Sequence, residues 1–250
     1  MNKFIRHTKT AWITILVVLI FQLLYLVLQK PIDMERLTYS EIATHTIWYL
    51  FLIAAYTVIL IWFALLLQNC KQGSPLKSPA ILGIIGATLR IIAASAFAIN
   101  QWVYFQSFIH MDIDQYQYLI LERYVLVNRI FFYAELIAYI VIAVAFIILA
   151  TKLKGGVRGF AISLAGVLIL IPVLSYLSDV LLMPSIQRLI LESYDYSDEA
   201  QKAITTIYSC KNAIYLLFIY GCFILFFSSF HSTIKNLSPA KPKNDPQPLQ

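Results

Sequence analysis

Charge is scarce in this chain. Of its 250 residues 13% are Asp, Glu, Lys or Arg, about half the ~25% of soluble domains, which argues against a soluble globular protein. Histidine is scarce too, and by sequence the four copies, His7, His45, His110 and His231, fall in the amino-terminal segment, in loops or at a span boundary. A haem needs histidine ligands within the spans, and intramembrane serine-protease chemistry needs a serine and a histidine there, so neither is expected. No His/Cys/Asp cluster has ligand spacing, which excludes a zinc or di-iron centre, and no glycine-rich nucleotide loop is present. The expectation is no cofactor and no catalytic set, hence a non-enzymatic role. The three cysteines, Cys70, Cys210 and Cys222, make no disulfide framework. The first falls in a loop, and the other two are separated by about 18 Å along one helix, beyond disulfide reach.

Apolar residues fill this space, at 60% of the chain with a mean hydropathy of +0.75. Several runs approach or exceed the ~20 residues that cross a bilayer as a helix. They do not alternate apolar and polar, which disfavours a β-barrel. The expected fold is all-α, a polytopic membrane bundle of six transmembrane helices at about 11–28, 46–67, 80–104, 125–151, 159–183 and 204–230. The first run is longer than a signal core and ends in LVLQKPID without a small-x-small cleavage site, so it reads as a retained span. Trp48 and Trp62, towards the ends of the second, read as interface anchors. Pro172 inside the fifth predicts a kink. Residues 106–123 read as a polar, aromatic segment along the interface. Ile186, Leu189, Ile190 and Tyr194 share one face of a surface-lying amphipathic stretch.

Lysine and arginine set the orientation. They collect at 1–10, in the second connector (Lys71, Lys77), in the fourth (Lys152, Lys154, Arg158) and in the polar, proline-rich tail 231–250, which reads as disordered. These segments alternate with acidic ones, so both termini belong in the cytosol. The formal charge of +6 is thus topological, and no basic stripe with interleaved aromatics points to nucleic acid. No internal repeat relates the first three spans to the last three.

Ionisable side chains inside spans include Arg90, Glu135, Asp179 and Lys211. Each costs about 2.5–3.5 kcal/mol at a helix centre on insertion scales if unpaired. Arg90 shares a helical face with Gly83, Ala87, Ala94, Ala98 and Gln101, a seam of small residues that lets helices approach closely. Sign and depth pair Arg90 with Glu135 near mid-membrane and Lys211 with Asp179 nearer the outer face. Asn128, Glu135 and Tyr139 share a face of the fourth span, and Tyr208, Lys211 and Tyr215 share one of the sixth. The other halves of these helices are almost wholly aliphatic. The eight residues Arg90, Asn128, Glu135, Tyr139, Asp179, Tyr208, Lys211 and Tyr215 are the candidate cluster. It is either a polar, tyrosine-lined ligand site among spans three to six, open to the non-cytosolic side, or a set of ion pairs that only fix packing. Spans one and two are expected to be a lipid-like flank. The partners implied are the bilayer of a plasma membrane such as a bacterial inner membrane, a small-molecule or ion ligand, and a membrane protein partner.

Overall fold

The computed structural model describes residues 2–28, 39–70, 73–110, 113–194 and 198–237. All described elements are helical: α1 (Asn2–Leu28), α2 (Tyr39–Gln68), α3 (Lys77–His110), α4 (Ile113–Lys152), α5 (Gly155–Leu177), a π-helical turn (Ser178–Leu182), α6 (Met183–Tyr194) and α7 (Asp198–Leu237). Among the described residues six stretches are long and apolar enough to cross a membrane: Phe4–Leu28, Thr46–Gln68, Lys77–Gln106, Arg129–Lys152, Gly155–Ile190 and Lys202–Lys235. This is the build of a multi-pass membrane protein. The helices overrun the expected spans, since α4 and α7 each hold 40 residues, about 60 Å at 1.5 Å per residue.

Consecutive helices pack side by side, and α7 returns to α1, so the spans close into a ring. We call the end where α1 begins and α7 finishes the terminal end, and the opposite one the far end. At the terminal end the His231 Nδ1–H donates to the Ile5 carbonyl (3.2 Å), tying α7 to α1. Gly155, at φ 64°, supplies the left-handed residue that turns the chain from α4 into α5.

The terminal half of the ring is filled by aromatic rings. Trp62 is fully buried, with Phe227 at 5.0 Å and Phe230 at 5.4 Å between ring centroids. Phe226 bridges it to Phe146 at 4.9 Å. Edge-to-face pairs of this kind are worth about 0.5–1.5 kcal/mol each beyond burial. Trp62 is therefore no interface anchor: its Nε1–H donates to Thr8 Oγ1 (3.1 Å), which donates to the Phe4 carbonyl (2.9 Å). A buried indole needs an acceptor, and the first span supplies it. The halves of spans four and six that read as almost wholly aliphatic carry buried rings here, Phe146 on one and Phe223, Phe226 and Phe227 on the other.

Three further expectations are corrected. α3 and α4 run on as helices to His110 and from Ile113, where an interface-lying segment was expected. α6 follows the π turn without a break, so the amphipathic stretch extends the fifth helix. Ile186 and Ile190 are half-buried and Leu189 is exposed, while the Tyr194 side chain lies outside the described residues. His7 and His231 lie within the candidate spans, because α1 starts at Asn2 and α7 continues past Phe230. Of the carboxyl-terminal tail, 238–250 lie outside the described residues.

Candidate functional site

α3 is the helix that both of its neighbours approach closely. A Cβ built on Gly83 would fall 2.3 Å from the Phe63 ring of α2. One on Gly86 would fall 2.6 Å from Ile142 Cγ1 and 3.0 Å from the Ile142 backbone nitrogen of α4. Ala87 and Ala94, one turn to either side of Arg90, are fully buried. The small-residue face thus carries Arg90 into the ring at mid-height.

There its Nη2 lies 2.6 Å from Glu135 Oε1 of α4. The guanidinium carbon sits 5.4 Å from the centroid of the Tyr56 ring and 5.1 Å from that of Tyr139, within cation–π range of both. Nε and Nη1 are buried with no hydrogen-bond acceptor among the described residues, and so is the Tyr56 hydroxyl. Nearer the far end the Lys211 ammonium bonds the Asp179 carboxylate. It lies 5.1 Å from the Tyr208 ring and 5.8 Å from the Tyr215 ring. Tyr208 also accepts a hydrogen bond from Gln187 Nε2 of α6 (3.2 Å).

The two pairs share one asymmetry. Arg90 is 3% exposed against 22% for Glu135, and Lys211 is 12% exposed against 43% for Asp179. In each the base is flanked by two tyrosine rings, and the acid is the partner left open. Asp179 sits in the π turn, which follows Pro172 by two turns of helix. Turns of this type are frequent at functional sites because the extra residue re-aims side chains.

A cavity of about 400 Å³ lies from mid-height towards the far end, and Arg90, Glu135, Tyr139, Asp179 and Tyr215 of the sequence-derived cluster line it. Lys211 and Tyr208 are not among its lining residues, but Lys211 bonds Asp179 and lies near the Tyr215 ring, both of which are. The Asn128 side chain lies outside the described residues. Asn212, Ser175 and Pro172 complete the polar and kinked side of the wall.

The second span is no lipid-like flank: Trp48, Tyr49 and Leu52 of α2 line the cavity, and Tyr56 covers Arg90. The first span also faces inward, with Ile15 and Gln22 fully buried. A closed ring obliges every helix to present one face to the axis, and no residue of the second span advertises this by charge. Sequence reasoning therefore missed Trp48, Tyr49, Phe97 and Phe132 as wall residues and Tyr56 as a cover. The signal for Tyr56 was depth, twelve residues before the end of α2 at Gln68, beside Arg90 thirteen residues into α3 from Lys77.

Among the described residues no group of three or more His, Cys, Asp or Glu side chains converges at metal-binding distance. Compared with known proteins, the chain matches no family model, no curated protein and no solved structure.

Proposed function

We propose that this protein binds a small ligand, as a receptor or permease, in the cavity between spans two to six, which is entered from the non-cytosolic side. Both termini are cytosolic and the membrane is a plasma membrane, as in a bacterial inner membrane. The lysines and arginines at 1–10, 71–77 and 152–158 support that orientation. It turns the far end, and with it the cavity, outward. The observation that carries the reading is the cavity of about 400 Å³ with a buried ion pair at its inner limit. That volume falls within the range of small-molecule sites, and a mostly apolar wall with a few convergent polar groups is their usual make-up. Intramembrane ionisable groups commonly mark ligand or ion pathways.

The test is a thermal-shift screen of the purified protein against small charged and neutral solutes, repeated on Ser175→Trp, which fills the cavity and leaves all four charges in place. A ligand that raises Tm in the parent and not in Ser175→Trp supports the reading. A shift that survives the substitution puts binding elsewhere and contradicts it.

A second reading has its own observation: each base is already paired with an acid and flanked by tyrosine rings. Such pairs fix helix packing without any ligand, as in a non-catalytic subunit of a membrane assembly. Under it no solute shifts Tm, and the protein purifies with a partner.

A further inference from the structure

Resting on the ligand-site reading above, we infer that the cavity takes an organic cation, an ammonium with a compact apolar body, held by Glu135 and Asp179 against the ring faces of Trp48, Tyr49, Phe97 and Phe132.

Both acids line the wall, whereas of the two bases only Arg90 reaches it, at 3% exposure. The Lys211 ammonium bonds Asp179 within reach of the Tyr208 and Tyr215 rings and does not line the cavity. Two carboxylates and one guanidinium thus line the wall. The pairs balance in sum, yet with the Lys211 ammonium outside the lining the field at the wall favours a cation. A carboxylate ligand would face two like charges against the single, already paired guanidinium of Arg90.

The ring lining points the same way. A cation gains attraction from a ring face within about 6 Å, more so as water is excluded, and quaternary ammonium recognition uses such cages. The rings are braced from outside or from each other. Trp48 packs on Tyr25 at 5.6 Å, Tyr49 stacks on Phe97 at 6.1 Å, and Phe132 stacks on Tyr176 at 4.8 Å. A pre-formed cage loses little side-chain freedom when it closes on a ligand.

The experiment uses three solutes of one shape: choline, its uncharged carbon isostere 3,3-dimethylbutanol, and the anion 3,3-dimethylbutanoate, with benzyltrimethylammonium as a larger cation. Binding to the full-length protein in detergent is read by thermal shift and by calorimetry. The expected result is that the ammonium ions bind at least about tenfold more tightly than the alcohol, with no shift from the carboxylate. Glu135→Gln should weaken the ammonium ions. Because that change leaves Arg90 without its acid, Phe97→Leu and Phe132→Leu serve as variants that keep the charges and remove ring faces. They should weaken the ammonium several-fold and leave the alcohol unchanged.

If the carboxylate or the alcohol binds better than the ammonium, and Ser175→Trp abolishes that binding, the cation assignment falls while the ligand site stands. If no probe binds, both fall. If ammonium binding is untouched by Glu135→Gln and by both leucine variants, the cage assignment is overturned.

Discussion

In the terminal half of the ring Trp62, Phe63, Phe146, Phe226 and Phe227 meet at the axis with no exposure. In the far half the same helices stand around a cavity of about 400 Å³ whose wall carries three charged residues. What separates the two is a layer at mid-height, Arg90 with Glu135, Tyr56 and Tyr139. The aromatic half packs tightly because rings on neighbouring turns interlock edge to face, and in lipid such packing, rather than water exclusion, holds helices together. The far half carries charge, and charge needs partners and space. The contrast teaches that one end of this ring is packed solid by rings while the other leaves room beside its charges.

Breaking the sealed half should have the largest effect. Trp62→Ala empties the centre of the aromatic cluster and orphans Thr8, at a cost of about 3–5 kcal/mol, read as loss of the folded fraction in mixed-micelle denaturation. Next comes the layer itself. Glu135→Ala strands a buried guanidinium and should cost about 3 kcal/mol. The double variant with Arg90→Ala should recover part of that loss, a coupling measured by a double-mutant cycle. The corresponding test on the outer pair sharpens the comparison: Asp179→Ala should cost less than Glu135→Ala, because the ammonium it strands is 12% exposed against 3% for Arg90.

Glycine separates close approach from open surface in the same way. Gly86→Ala drives a methyl into Ile142 and should cost about 1–3 kcal/mol. Gly166→Ala in α5, with nothing within 4 Å, should be neutral or stabilise by about 0.5 kcal/mol. Smallest of all is Tyr56→Phe. The hydroxyl has no partner among the described residues and the ring over Arg90 is kept, so Tm should move little, whereas Tyr56→Ala should lower it clearly.

Much of this was readable in the sequence. Six spans follow from run length, and the pairing of Arg90 with Glu135 and Lys211 with Asp179 follows from sign and depth, because an uncompensated charge in an apolar span is costly. The small residues around Arg90 foretold a buried face, and Gly83 and Gly86 prove to be the points where Phe63 and α4 come closest. The closure of the ring was not readable, since it depends on which helix α7 packs against. For that reason Trp48 and Trp62 looked like interface anchors, and the span that carries Tyr49 and Tyr56 looked like a lipid-like flank. The asymmetry within each pair was equally hidden. Which partner is covered depends on tyrosines from other helices, Tyr56 over Arg90 for one, and no spacing along a single helix reports that. Nor does composition announce a π turn at Asp179.

The central claim is that the far half is accessible and the terminal half sealed, and α5 passes through both. Ser175 lines the cavity, and Ala165, ten residues towards the terminal end, lies in the packed core at 1% exposure. In a background lacking Cys70, Cys210 and Cys222, single cysteines at these two positions would be exposed in oriented vesicles to a membrane-impermeant thiol reagent. Ser175→Cys should react from the side opposite the termini while Ala165→Cys stays unreactive from both sides. Equal reactivity of the two, or reaction of Ser175→Cys only from the side of the termini, would contradict it.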